Sequence, residues 1–125
     1  MSSIVIALPK IEDARKIRSV LERHGFAVAS VCSTASNALS SASELGSGVL
    51  ICGHRLPDMN YLDLAECMPK DFEMLLLASQ RIIDEAPNSV STVQMPMKAS
   101  VLIDTVNDML YHLERRIKKE KKKPK

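Results

Sequence analysis

A chain of 125 residues, 46% hydrophobic and 26% charged, encloses one hydrophobic core and not two. No apolar run approaches the roughly 20 residues of a membrane-spanning helix, and Met1-Ser2-Ser3 enters Ile4-Val5-Ile6-Ala7-Leu8 without the basic start and long apolar stretch of a secretory leader, so the expected location is the cytoplasm, with no membrane partner. The formal charge of +2 has two unequal parts: Arg115–Lys125 holds eight basic residues and one acidic, or +7, which leaves −5 on the 114 residues before it.

Ile4–Leu8 is rich in β-branched residues and reads as a buried strand, stopped by Pro9. From Ile11 to His24 the apolar residues Ile11, Ala14, Ile17, Val20 and Leu21 recur at three- and four-residue spacing, which predicts an amphipathic helix. Glu12 and Asp13 suit its first turn, and Gly25 suits a left-handed cap. Phe26–Val31 reads as an edge strand, because Ser30 and small alanines dilute its apolar character. Ser33–Leu45 carries hydroxyls that compete with the helical backbone, yet Ala38, Leu39, Ala42 and Leu45 keep helical spacing. Ser33 or Thr34 can cap that helix, and Gly46 and Gly48 end it.

Gly48-Val49-Leu50-Ile51-Cys52-Gly53 is apolar at nearly every position, the pattern of a central parallel strand covered on both faces. Ligands bind beyond the carboxyl ends of such strands, so Gly53 to Asp58 stands where a functional site belongs. Tyr61–Met68 is a short helix between Pro57 and Pro69, and Phe72–Ala78 is a fourth strand. Arg81–Ala86 allows at most two helical turns before Pro87, and Val90–Met95 is a fifth strand ended by Pro96. From about Ala99 a last amphipathic helix carries Val101, Leu102, Val106, Met109, Leu110 and Leu113 toward the basic tail. Five strands alternating with five helices predict an α/β three-layer sandwich, flavodoxin-like, with a parallel sheet of order 2-1-3-4-5 and a shortened fourth helix.

Chemistry-bearing residues are sparse. Cys32, Cys52 and Cys67, an odd number without paired spacing, read as small buried hydrophobes. Asp58 and Asp63 read as solvated turn residues, and His54 beside Arg55 has no partners at metal-ligand spacing. No glycine-rich phosphate loop, nucleophile elbow or paired carboxylate set is present, so neither enzyme activity, metal nor cofactor is expected.

The chain resembles, to about Leu113, the CheY-like receiver domain of two-component response regulators. The resemblance rests on Ile4–Leu8, on Val49-Leu50-Ile51-Cys52-Gly53 followed by Leu56-Pro57-Asp58-Met59-Asn60, and on Met95-Pro96-Met97 before a terminal amphipathic helix. It implies a phosphoacceptor position at Gly53, four residues before the motif proline, and Mg²⁺-binding positions at Leu8 and Pro9. It also implies a hydroxyl position at Ala78, with Ser79 next to it, and a lysine position at Met95, with Lys98 further along. None of these residues has the side chain that the family uses, so the resemblance is to a pseudo-receiver. The fourth-helix shortening further implies a rebuilt helix 4–strand 5–helix 5 face, a candidate site for a protein partner.

A degenerate receiver with a basic helical extension looks like the first part of an ANTAR-type antitermination regulator, which implies a receiver-like domain at 1–113 and a helical linker or tail at 114–125. Leu102, Val106, Met109 and Leu113, continued by Ile117, follow coiled-coil spacing, so a homodimer through the last helix is expected; packing on the chain's own sheet is the alternative. RNA recognition would belong to a C-terminal module outside these residues. Arg115, Arg116, Lys118, Lys119, Lys121, Lys122 and Lys123 are candidates for direct phosphate contact, without sequence specificity because no aromatic residue is interleaved among them.

Overall fold

The structure, a computed structural model, describes residues 3–96 and 98–122, with the backbone alone for 120–122. In chain order the elements are β1 (Ser3–Ala7), α1 (Ile11–Arg23), β2 (Val28–Cys32), α2 (Ala35–Leu45), β3 (Ser47–Gly53), β4 (Arg55–Leu56), β5 (Met59–Asn60), α3 (Tyr61–Cys67), β6 (Asp71–Ala78), α4 (Gln80–Glu85), β7 (Ser91–Gln94) and α5 (Ala99–Lys122). Parallel pairing in the order β2-β1-β3-β6-β7 is the expected 2-1-3-4-5 arrangement, with β6 and β7 as the fourth and fifth strands. The short β4–β5 hairpin was not expected; it forms a separate antiparallel ribbon directly after the central strand.

Alternation along each strand divides the core into two layers. Ile4, Ile6, Val49, Ile51, Leu75, Leu77 and Val93 face α1 and α5, through Ala14, Ile17, Leu21, Leu102 and Val106. Val5, Ala7, Leu50, Cys52, Met74 and Leu76 face α2 and α3, through Ala35, Ala38, Ala42, Tyr61 and Leu64. The run of small residues that weakens α2 as an isolated helix is what lets it lie close on the sheet. Thr34 caps its start by accepting from the Asn37 amide at 3.2 Å, so Thr34 and not Ser33 holds that role. At the end of α1, the Gly25 and Phe26 amides donate to Glu22 and Leu21, and Gly25 takes the left-handed φ of 87° expected of it. Helix α4 is short, as expected: six residues, none fully buried, with Ile82 and Ile83 half-covered by the core.

Helix α5 runs for 24 residues without a break. Leu102 and Val106 are 0% exposed and Leu113 is 2% exposed. These three cannot also form a dimer seam in this packing. Withdrawing them would forfeit about 1.5–3 kcal/mol each, a sum comparable to the whole stability of a small domain. The 4-3-4 spacing is a core stripe at those positions; Met109 and Ile117, only half-buried, are the two members of the expected seam that retain free surface. Cys32 and Cys52 are buried as expected, but Cys67 is exposed at the end of α3. Among the described residues no helix is long and apolar enough to cross a membrane.

Candidate functional site

The carboxyl edge of the sheet brings the predicted positions together. Ala7 is level with Cys52, Gly53 with Leu77, and Ala78 with Gln94, so Leu8, Pro9, Gly53, Ala78 and Met95 all lie at or just past the strand ends. The Met95 amide donates to the Ala78 carbonyl at 2.8 Å, and the Leu8 amide donates to Cys32 at 3.1 Å. Leu8 is buried, at 8% exposure. A Cβ added to Gly53 would lie 3.4 Å from Leu8 Cδ2 and 4.0 Å from Pro9 Cδ. Leucine and proline therefore occupy the ground beside the end of the central strand. Their side chains offer no oxygen, and a Mg²⁺ ion, which requires oxygen ligands, does not fit them.

Cys52 and His54 flank Gly53 in the sequence. Burial pushes the Cys52 thiol up to about 12, so it remains protonated and is a poor nucleophile. His54 is exposed; its backbone carbonyl accepts from the Tyr61 amide at 3.0 Å. Among the described residues no group of three or more His, Cys, Asp or Glu side chains gathers to hold a metal ion.

Asp58 has a different role from the solvated turn residue expected of it. It sits at the tip of the β4–β5 hairpin, and its carboxylate accepts from the Ala35 amide at 2.8 Å and the Ser36 amide at 3.0 Å. Those two donations hold its carboxyl below the usual carboxylate range. The N-terminus of α2 thus has two caps: Thr34 from its own segment and Asp58 from a loop 23 residues away. The motif Leu56-Pro57-Asp58 thus links the segment after the central strand to the start of α2. Asn60 acts locally in the same way, accepting from the Asp63 amide at 2.9 Å to cap α3.

On the flank formed by α4, β7 and α5, Met95 and Val101 are 42% and 44% exposed. With Gln94, Pro96 and Lys98 they line a shallow groove.

The basic residues of α5 fall into two groups. Arg116 folds back onto the start of β6, pairing with Glu73 at 2.6 Å and lying 3.7 Å from Asp71, so it is not free for a phosphate as expected. Arg115, Lys118 and Lys119 are exposed. Arg115 donates to the Tyr111 hydroxyl at 2.8 Å, with its guanidinium carbon 5.6 Å from the ring centre. The side chains of Lys121 and Lys122, and Lys123 entirely, lie outside the described residues. Tyr111 was missed because it precedes the basic run; its four-residue spacing to Arg115 was the available signal.

The architecture is that of a receiver domain. The signal receiver domain of an HD domain-containing protein from Pseudomonas fluorescens Pf-5 superposes with a TM-score of 0.81 at 15% identity, covering 94% of this chain and 92% of that one. A response regulator receiver domain protein from Clostridium thermocellum gives 0.79 at 17% identity, with 91% and 98% covered. A CheY-like receiver domain protein from Methanospirillum hungatei JF-1 gives 0.73 at 14% identity, with 91% and 98% covered. Identities this low establish the flavodoxin-like receiver fold and no more. Neither a family model nor a curated protein sequence matches the chain.

Proposed function

We propose that the chain is a pseudo-receiver: a non-catalytic signalling module that retains the receiver scaffold, accepts no phosphoryl group, and changes state by binding a protein partner or a second copy. The observation that carries this reading is the packing of Leu8 and Pro9 against Gly53. Transfer of a phosphoryl group needs an anionic nucleophile and a cation to neutralise developing charge. Glycine, leucine, proline, alanine and methionine supply neither.

The signalling role is supported by the kinship of fold with receiver domains, one of them described as a two-component transcriptional regulator from Clostridium phytofermentans ISDg. The partner surface in this reading is the α4–β7–α5 flank, where Met95 and Val101 present uncovered apolar area. A homodimer through α5 would use Met109 and Ile117 at its margin. The output in this reading is an RNA-binding element of the ANTAR antitermination type, reached through α5, which is helical through Lys122.

Incubation with acetyl phosphate and Mg²⁺ followed by intact-mass measurement tests the proposal. The expected result is an unchanged mass, for the parent chain and for Gly53→Asp alike, since the restored carboxylate would still lack a metal site. A phosphate adduct on the parent chain, mapped to residues 53–58, overturns it.

A further inference from the structure

Tyr111, Arg115 and Lys118 follow one another at four- and three-residue spacing, so they share the outer face of α5, with Lys119 beside them. Tyr111 is 57% exposed, an unusual position for an aromatic ring in a chain whose other tyrosine, Tyr61, is 7% exposed. His112 meets that ring edge-on, with centroids 5.4 Å apart. A shallow groove lined by Tyr111, Arg115, Arg116, Lys118 and Lys119 runs over about 12 Å of helix. One residue in it, Arg116, is neutralised by Glu73 and Asp71. The remaining three cations have no acidic partner among the ion pairs of the described residues.

We propose that this face binds single-stranded nucleic acid, with Arg115, Lys118 and Lys119 on the phosphates and the Tyr111 ring stacked on a base. Cations alone recognise any polyanion; an exposed ring within the same stripe adds a preference for a strand whose bases are unstacked. Asp104 and Asp108, exposed on the same face two turns and one turn before Tyr111, repel phosphate and set the upper limit of the footprint. The net +7 of Arg115–Lys125 favours the same ligand charge. The site lies toward the amino ends of the strands, where Arg116 meets Asp71 and Glu73, and not at the carboxyl ends, so it stands or falls separately from the pseudo-receiver reading.

The absence of tryptophan makes Tyr111 its own reporter. In the full chain carrying Tyr61→Phe, titration with an unlabelled uridine-rich RNA strand is expected to quench the single tyrosine emission, because direct stacking on a base opens a non-radiative route of decay. Anisotropy with the same strand, labelled, should show about tenfold weaker binding for Tyr111→Ala, near-parent binding for Tyr111→Phe, and weaker binding to the matched duplex. Replacing both Lys118 and Lys119 with Gln should lower the slope of log K against log salt by about 1.4, whereas Arg116→Gln should leave it nearly unchanged. Circular dichroism confirms that each variant keeps its helix. Heparin binding as tight as RNA, no quenching, or an unaffected Tyr111→Ala would each overturn the proposal. So would sedimentation showing that the basic face instead engages Asp104 and Asp108 of a second copy while RNA does not bind.

Discussion

The two edges of the sheet are built on opposite terms. At the carboxyl edge, where open parallel sheets bind their ligands, the described contacts are aliphatic or structural: Leu8 and Pro9 beside Gly53, and Asp58 committed to capping α2. At the amino edge the fit is strict and charged. Gly48 has a φ of 155° and lies so close to Ser3 that a Cβ would overlap the Ser3 carbonyl, while Arg116 ties α5 to Glu73 and Asp71. The difference teaches that the strictest glycine fit and the ion pairs of Arg116 stand at the end of the sheet opposite Gly53.

Substitutions on each edge can break that contrast. Gly48→Ala is expected to have the largest effect, about 3 kcal/mol of lost stability in urea unfolding, because the β1–β3 ladder must open to admit a methyl group; a loss below about 1 kcal/mol would remove the claim of strictness. Arg116→Ala should cost only about 0.5–1 kcal/mol, since the pair is part-exposed and screened, but hydrogen exchange should show earlier opening of the last turns of α5. Asp58→Asn should act mainly on pH dependence. The folded carboxyl titrates below its unfolded value, so its contribution is present above that value and disappears as acid carries the pH through the lower folded one; the variant's acid unfolding curve should be flatter below about pH 4. Gly53→Ala should be smallest, within about 0.5 kcal/mol of the parent, because the added methyl meets Leu8 at ordinary contact distance.

Most of the fold was legible because it is written in local patterns. Pro9, Pro69, Pro87 and Pro96 punctuate the elements, and the unbroken apolar run before Gly53 could only be an inner strand. Strand limits moved by one or two residues: β2 begins at Val28 and not at Phe26, and β7 spans Ser91–Gln94 within the expected Val90–Met95. The β4–β5 hairpin was not legible, since two-residue strands are too short to show a period. Asp58 capping α2 and Arg116 pairing with Glu73 join residues 23 and 43 positions apart, and nothing local announces either contact. The spacing of Leu102, Val106 and Leu113 left a dimer seam and the chain's own sheet both open for a physical reason: a helix lying on a sheet and a helix lying on another helix repeat their apolar residues in the same way.

The continuity of α5 has a mechanical meaning. Between Ala99 and Lys122 there is neither glycine nor proline, and the rod is about 36 Å long. Leu102, Val106 and Leu113 bolt it to the sheet along one side, and Arg116 braces it lower down. With no kink-forming residue along its length, the helix joins its buried stripe to its lysine-rich end in one unbroken piece.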